Sequence, residues 1–279
     1  MLITVLRRFY LLTLAAALSS VASGARAQTA VPAEKKQAEK KSDAGLTAEG
    51  IAEAVVAVYG GRGALEQIRR TGVERGRISR TATDGTAVEI EYERSYKRGE
   101  TSDKDKIRVD QKRANLEYSL IFNDGRLWGV IKGTSFAPRQ EDVSDFDSAR
   151  QHGIENLLRY KENGATLNYV GKDKQKNIDM WVLDLTEKGG SRTRYYISSQ
   201  TGKVLWLEYE TPQAGGAAVK YRRTFHDYRV VQGTRVPYRS VLYANDKRQE
   251  EAQILTVTYG VKMEDSRFKS EEAANTNGN

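Results

Sequence analysis

The sequence predicts an α+β fold that is mainly antiparallel β: a meander that curls into a barrel or half-barrel, with an N-terminal helix pair and one helical insertion. Three observations predict it. From Val73 onward, short runs of alternating apolar residues follow one another with Gly, Asn, Asp and Lys turns between them, the pattern of an antiparallel meander. The runs number on the order of ten or eleven, and open sheets of that size curl or split. Only two stretches, 46–70 and 141–165, carry helical spacing, too little helix to fill the concave face of a curled sheet.

Taken in order, residues 1–27 read as a cleaved secretory signal peptide. Arg7 and Arg8 precede an apolar run from Phe9 to about Ala22, and Ala25-Arg26-Ala27 offers a small-x-small cleavage site. That run falls short of the ~20 residues that a membrane-spanning helix needs. Residues 28–45, built from Ala, Lys, Glu and Pro without an aromatic, read as a disordered charged tether, and 270–279 as a similar tail. The domain proper is 46–269. Thr47 can cap a first helix carrying Ile51, Ala54, Val55 and Val58 on one face; Gly60-Gly61 breaks it, and Ala64, Leu65 and Ile68 restart it. Because GGRG follows a helix and not a strand, it reads as a turn and not as a phosphate-binding loop.

Val88, Ile90, Tyr92 and Tyr96 alternate with Glu89, Glu91 and Glu93, a strand wet on one side. The stretch LEYSLIFNDGRLWGVI, 116–131, is a hairpin around Asp124-Gly125. A two-residue turn sets Phe122 opposite Leu127 and Ile121 opposite Trp128, and gathers Leu116, Tyr118, Leu120, Phe122 and Leu127 on one apolar face. The insertion has Ser144 or Asp145 as its cap, a stripe of Ile154, Leu157 and Leu158 interrupted by Gly153, and Gly164 beyond its end. Seven more strands follow. In YYISSQTGKVLWLEYE, 195–210, strict alternation points Val204, Trp206 and Glu208 one way and Leu205, Leu207 and Tyr209 the other, so something apolar lies against both faces.

The composition excludes several kinds of chemistry. With no cysteine, the chain can be neither acylated as a bacterial lipoprotein nor stapled by disulfides. Loss of Arg7, Arg8 and Arg26 with the signal takes the net charge from +8 to +5, a modest basic bias that fits attraction to anionic lipid surfaces. No helix-turn-helix, zinc-finger spacing or RNA-binding aromatic motif is present, so no nucleic acid is expected. His152 and His226 are the only histidines, without a third ligand at metal-like spacing, and Asp227 beside His226 points to the opposite strand face. No catalytic residue, metal or cofactor is therefore expected, and the protein reads as a non-enzyme. Glu141, Asp142, Asp145 and Asp147 lack the spacing of a calcium loop and suit the start of a helix. What remains is apolar surface. A buried acyl chain gains roughly 0.8 kcal/mol per CH₂, so a lipid pocket needs little polar chemistry.

Two stretches carry a resemblance. VYGGRGALEQIRRTGVERGRI joins a helix ending in Gly-Gly to a short Leu-x-x-Ile turn and a first strand. The closing order of YYISSQTGKVLWLEYE, KYRRTFHDYRVVQGTRVPYRSVLYANDK and QILTVTYGVKMEDSRFK includes a hairpin marked by Tyr228, Gly233 and Pro237. From about Leu46 to Lys269 the chain resembles the periplasmic lipoprotein-carrier superfamily, LolA/LolB-like and akin to outer membrane lipoprotein-sorting proteins. The resemblance implies an unclosed antiparallel barrel whose concave apolar face, covered by helices, holds acyl chains of lipoproteins or other lipids. It implies a soluble periplasmic carrier with possible envelope membrane partners and peripheral membrane contact. The expected lipid-binding residues are Leu116, Tyr118, Leu120, Phe122, Leu127, Ile197 and Trp206, with Ile154, Leu157 and Leu158 on the lid. Periodicity alone allows the same residues to form a packed core. An envelope interaction or sensor module without cargo, marked by an exposed apolar patch, is the alternative, and a hydrolase with convergent cavity groups is a third.

Overall fold

Alternation and turn chemistry build most of the chain into one antiparallel sheet. The computed structural model describes residues 45–81, 85–114, 116–212 and 216–269; the expected signal, the tail and all of the tether but Gly45 lie outside them. The first six strands are β1 (Thr71–Thr81), β2 (Ala87–Lys97), β3 (Lys106–Arg113), β4 (Leu116–Asn123), β5 (Arg126–Ile131) and β6 (Thr134–Phe136). The other seven are β7 (Thr166–Gln175), β8 (Ile178–Thr186), β9 (Arg192–Ser198), β10 (Val204–Thr211), β11 (Val219–Val231), β12 (Thr234–Ala244) and β13 (Lys247–Tyr259). Two meanders, β1 to β6 and β7 to β13, are joined where β1 pairs with β13. The resulting 13-stranded sheet ends at β6 on one edge and β7 on the other. The two strands beyond the expected count are β3, whose charged sequence masks its alternation, and the three-residue β6.

Local chemistry explains the register. Five hairpins turn on two residues that both have positive φ: Asp124-Gly125, Lys132-Gly133, Lys176-Asn177, Gln232-Gly233 and Asn245-Asp246. Such turns match the right-handed twist of the strands they join. The first sets Phe122 opposite Leu127 and Ile121 opposite Trp128, as the hairpin motif predicts.

Helix α1 (Ala48–Val58) starts at Thr47, whose hydroxyl accepts the Gly50 N–H at 3.0 Å, and α2 (Gly61–Gln67) follows the glycine break. The buried stripe of α1 is Ile51, Ala52, Val55 and Val56, and Ala54 faces solvent. The insertion is three helices and not one: α3 (Gln140–Gln151), α4 (Ile154–Leu158) and α5 (Tyr160–Asn163). Arg139 is the N-cap, so Ser144 and Asp145 lie within α3 and do not cap it. Gly164, at φ 62°, ends α5 as expected.

This connection runs from one edge strand, β6, to the other, β7. It therefore has to cross the mouth of the curled sheet. Its two ends differ. α3 buries no residue, whereas α4 buries Ile154, Leu157 and Leu158 against α1 and the β8–β10 strands in one core that includes Leu183, Tyr195, Ile197, Val204 and Leu207. Burying each such side chain is worth roughly 1.5–3 kcal/mol. A second, smaller core of Tyr96, Ile107, Phe122, Val236, Tyr238, Val257 and Tyr259 lies on the other half of the sheet, with Phe146 of α3 against it.

The stretch 195–210 departs from strict alternation. A bulge between Val204 and Trp206 turns Val204 to the helix side with Leu207 and Tyr209, all buried. Trp206 faces the opposite side, stacked on Tyr196 with ring centroids 4.5 Å apart. Both faces are covered, one by helices and the other by this aromatic stack.

Candidate functional site: a charged cavity under the helical insertion

Between the β1–β3 and β11–β13 strands and α3–α4, the helices leave a cavity of about 390 Å³. One part of its lining is apolar: Ile78, Ile107, Val109, Leu120, Phe146 and Ile254. The floor is shaped by glycine. A Cβ on Gly72 would meet the Tyr96 side chain, and one on Gly76 the Tyr92 side chain, each at 2.7 Å, so these two glycines let the tyrosines lie flat over β1. The Tyr92 hydroxyl donates to Glu74 at 2.8 Å. Burial first, then the Glu74 charge, pushes the Tyr92 phenol well above its ordinary range.

The rest of the lining is ionic. Nine arginines and six carboxylates face the cavity, an excess of three positive charges. Glu155 of α4 accepts from both Arg69 and Arg98, and Arg69 lies over the Tyr259 ring at 5.2 Å. Burial works to raise the Glu155 carboxyl, but Arg69, Arg98 and Arg159 outweigh it and hold it at about 2. Arg80 reaches Asp145 of α3 and Glu250 of β13, both at 2.7 Å. Arg159 donates to Asp105 at 2.8 Å. These pairs tie the insertion across the cavity to the sheet.

His152, at the α3–α4 junction, lies 2.7 Å by its Nδ1 from Thr193 Oγ1 and stacks on Tyr209 at 3.8 Å. Burial, with a smaller contribution from Arg223, lowers it to about 4. His226 is exposed on β11 beside Thr224. The acidic run on α3 is individually paired: Asp142 with Arg139, Asp145 with Arg80, Asp147 with Arg150. Among the described residues no group of three or more acidic, His or Cys side chains is arranged to hold a metal.

The fold has counterparts among solved structures. A DUF1329 family protein from Desulfovibrio piger aligns with TM-score 0.59 at 12% identity, over 81% of this chain and 98% of its own. A LolA superfamily protein from Nitrosomonas europaea aligns with TM-score 0.57 at 12% identity, over 81% and 99%. A domain assigned to an outer membrane lipoprotein-sorting protein from Vibrio parahaemolyticus gives TM-score 0.55, 12% identity, 82% and 99%. The fold is LolA-like. No protein-family model and no curated protein matches the sequence.

Within this LolA-like sheet the ten expected lipid-contacting residues divide into four groups. Leu120 and Ile154 line the cavity. Phe122 and Leu127 belong to the smaller core, Phe122 lying 5.9 Å from Phe146 and under Arg150 at 4.8 Å. Leu157, Leu158 and Ile197 are fully buried in the larger core behind α4. The last three lie away from the cavity: Tyr118 is buried on β4 against Phe136, Leu116 is 43% exposed near the sheet edge, and Trp206 is on the far face. The cavity's ionic lining was not foreseen. The available signal was Arg94, which interrupts the apolar face of Ile90, Tyr92 and Tyr96 on β2.

Proposed function

We propose that the protein is a soluble, exported lipid-binding or lipoprotein-carrier-like protein that holds an acyl chain in the cavity beneath α3 and α4. The observation that carries this reading is the gap between sheet and insertion: about 390 Å³, within the range of roughly 300–1,000 Å³ typical of small-ligand sites. A chain of about fifteen methylenes offers on the order of 12 kcal/mol before ordering costs. The likeness in fold to a LolA superfamily protein and to a lipoprotein-sorting domain supports the same reading. The signal-like 1–27 segment supports delivery to the periplasm, where an acyl chain crossing water needs a shelter. No helix among the described residues is long and apolar enough to cross a membrane. Within the reading, Leu120, Ile154 and Phe146 contact the chain, while Leu157, Leu158 and Ile197 support α4 from behind. The large exposed hydrophobics Leu116, Val170, Ile178, Val230 and Leu255 sit on five different strands, an arrangement that favours cargo binding over a docking module.

The test is native mass spectrometry with lipid extraction on protein purified without detergent. Co-purified mass belonging to a lipid or acylated peptide, lost on Leu120→Asp in a protein of unchanged circular dichroism, supports the reading. Protein that carries no added mass and takes up no lipid from vesicles refutes it.

A further inference from the structure

Three guanidiniums lining the cavity, those of Arg94, Arg113 and Arg235, have no carboxylate of the described residues at ion-pair distance; Arg113 donates to the Tyr118 hydroxyl and Arg235 to the Val58 carbonyl, which leaves Arg94 as the one to account for. Arg69 and Arg98 share Glu155, Arg80 and Arg223 reach Glu250, and Arg159 has Asp105. Arg94 of β2 lines the same cavity, lies over the Tyr96 ring at 5.2 Å, and has no carboxylate of the described residues at ion-pair distance. Its cross-strand neighbour Glu74 takes the Tyr92 hydroxyl instead. Arg69, Arg94 and Arg98 against Glu155 and Glu74 leave one positive charge in excess at this end of the cavity. Nearby, the Nε of Arg69, a residue only 9% exposed, lacks a hydrogen-bond partner. A half-buried guanidinium in a low-dielectric site is stabilised by an anion, and its planar fork suits carboxylate or phosphate oxygens.

The register places apolar residues beside it. Arg94 pairs with Val109 on β3, and Val109 pairs with Leu120 on β4. With strands about 4.8 Å apart, Leu120 lies roughly 10 Å across the sheet from Arg94. The cavity floor thus runs from cationic to apolar along one row of residues.

We propose that Arg94 anchors the oxyanion head, carboxylate or phosphate, of an amphiphile whose chain runs over Val109 and Leu120. The inference rests on the lipid-binding reading and adds a charge selectivity to it. Equilibrium dialysis of the delipidated protein against radiolabelled palmitate, hexadecanol and inorganic phosphate tests both. Palmitate is expected to bind at least tenfold more tightly than hexadecanol, Arg94→Gln to abolish that preference while leaving hexadecanol binding unchanged, and Arg94→Lys to keep most of it. Equal binding of palmitate and hexadecanol by the native protein, or a preference that survives Arg94→Gln, overturns the anion anchor and leaves the lipid reading standing. Binding of neither amphiphile sinks the lipid reading and the anchor together. Arg94-dependent binding of inorganic phosphate without either amphiphile overturns the head-group assignment in favour of a free anion. Circular dichroism of the Gln and Lys variants separates loss of binding from loss of fold.

Discussion

Replacing Glu155 with Gln keeps its shape and removes the charge that Arg69 and Arg98 share. A carboxyl held at about 2 instead of its ordinary 4.5 corresponds to at most about 3 kcal/mol at neutral pH. The side chain is 34% exposed, however, and that surface opens onto the cavity it lines. Solvent screening there lowers the figure, while two guanidiniums left facing one neutral amide raise it. The expected loss is therefore about 2 kcal/mol, measured by urea denaturation at pH 7. The sign of the pH dependence follows from the lowered folded-state pKa. The unfolded chain takes up the proton first as pH falls, so the stabilisation is complete above the unfolded pKa of 4.5 and drains away towards about 2. The gap between native protein and Glu155→Gln should shrink by more than half between about pH 6 and pH 3. A gap below about 0.5 kcal/mol at pH 7, the size of an ordinary surface pair, would refute the reasoning, as would a gap that does not change with pH.

Three further outcomes follow from the geometry. His152 is held neutral, at about 4, so its contribution is present above its unfolded pKa near 6.5 and is lost as pH falls to about 4; His152→Gln should flatten the stability profile in that window, and an unchanged profile would count against the burial argument. Gly76→Ala drives a Cβ against the Gln253 carbonyl oxygen of β13 and to 2.7 Å from the Tyr92 ring and should cost about 1–3 kcal/mol in denaturation, with near-ultraviolet circular dichroism reporting the displaced tyrosine. Leu120→Asp should abolish retention of lipid while Trp206→Ala, on the opposite face, leaves it intact; equal loss in both, measured on extracted lipid, would place the binding surface elsewhere.

How much could be read from the chain depends on what each residue's partner is. The Asp124-Gly125 hairpin was legible because its turn and its pairing are local: positive φ at both residues fixes the register without reference to the rest of the molecule. The α1 cap at Thr47 was legible for the same reason. Strand β3 was not, because KIRVDQKR has only Ile107 and Val109 as apolar residues, and Gln111 and Arg113 face a cavity instead of a core. Strict alternation keeps Trp206 on the side of Val204, and a single bulge, invisible in composition, separates the two.

The ionic cavity lies beyond local reasoning altogether. Arg69 follows α2, Arg98 follows β2 and Glu155 is on α4, far apart in sequence, and each alone reads as an ordinary surface charge. Only when the β6–β7 connection is required to cross the sheet do they converge. That crossing also explains why the insertion has two characters. Its α4 end is bound by Leu157 and Leu158 in a continuous apolar core, whereas α3 buries nothing and touches the sheet through Phe146, Arg150 and the Asp145–Arg80 pair. An element held by few apolar contacts opens at lower free energy than one anchored in the core. Entry to the cavity should therefore lie under α3, and amides of 140–151 should exchange hydrogen faster than those of 154–158. Equal protection of the two helices would move the entrance away from α3, whatever the cavity holds.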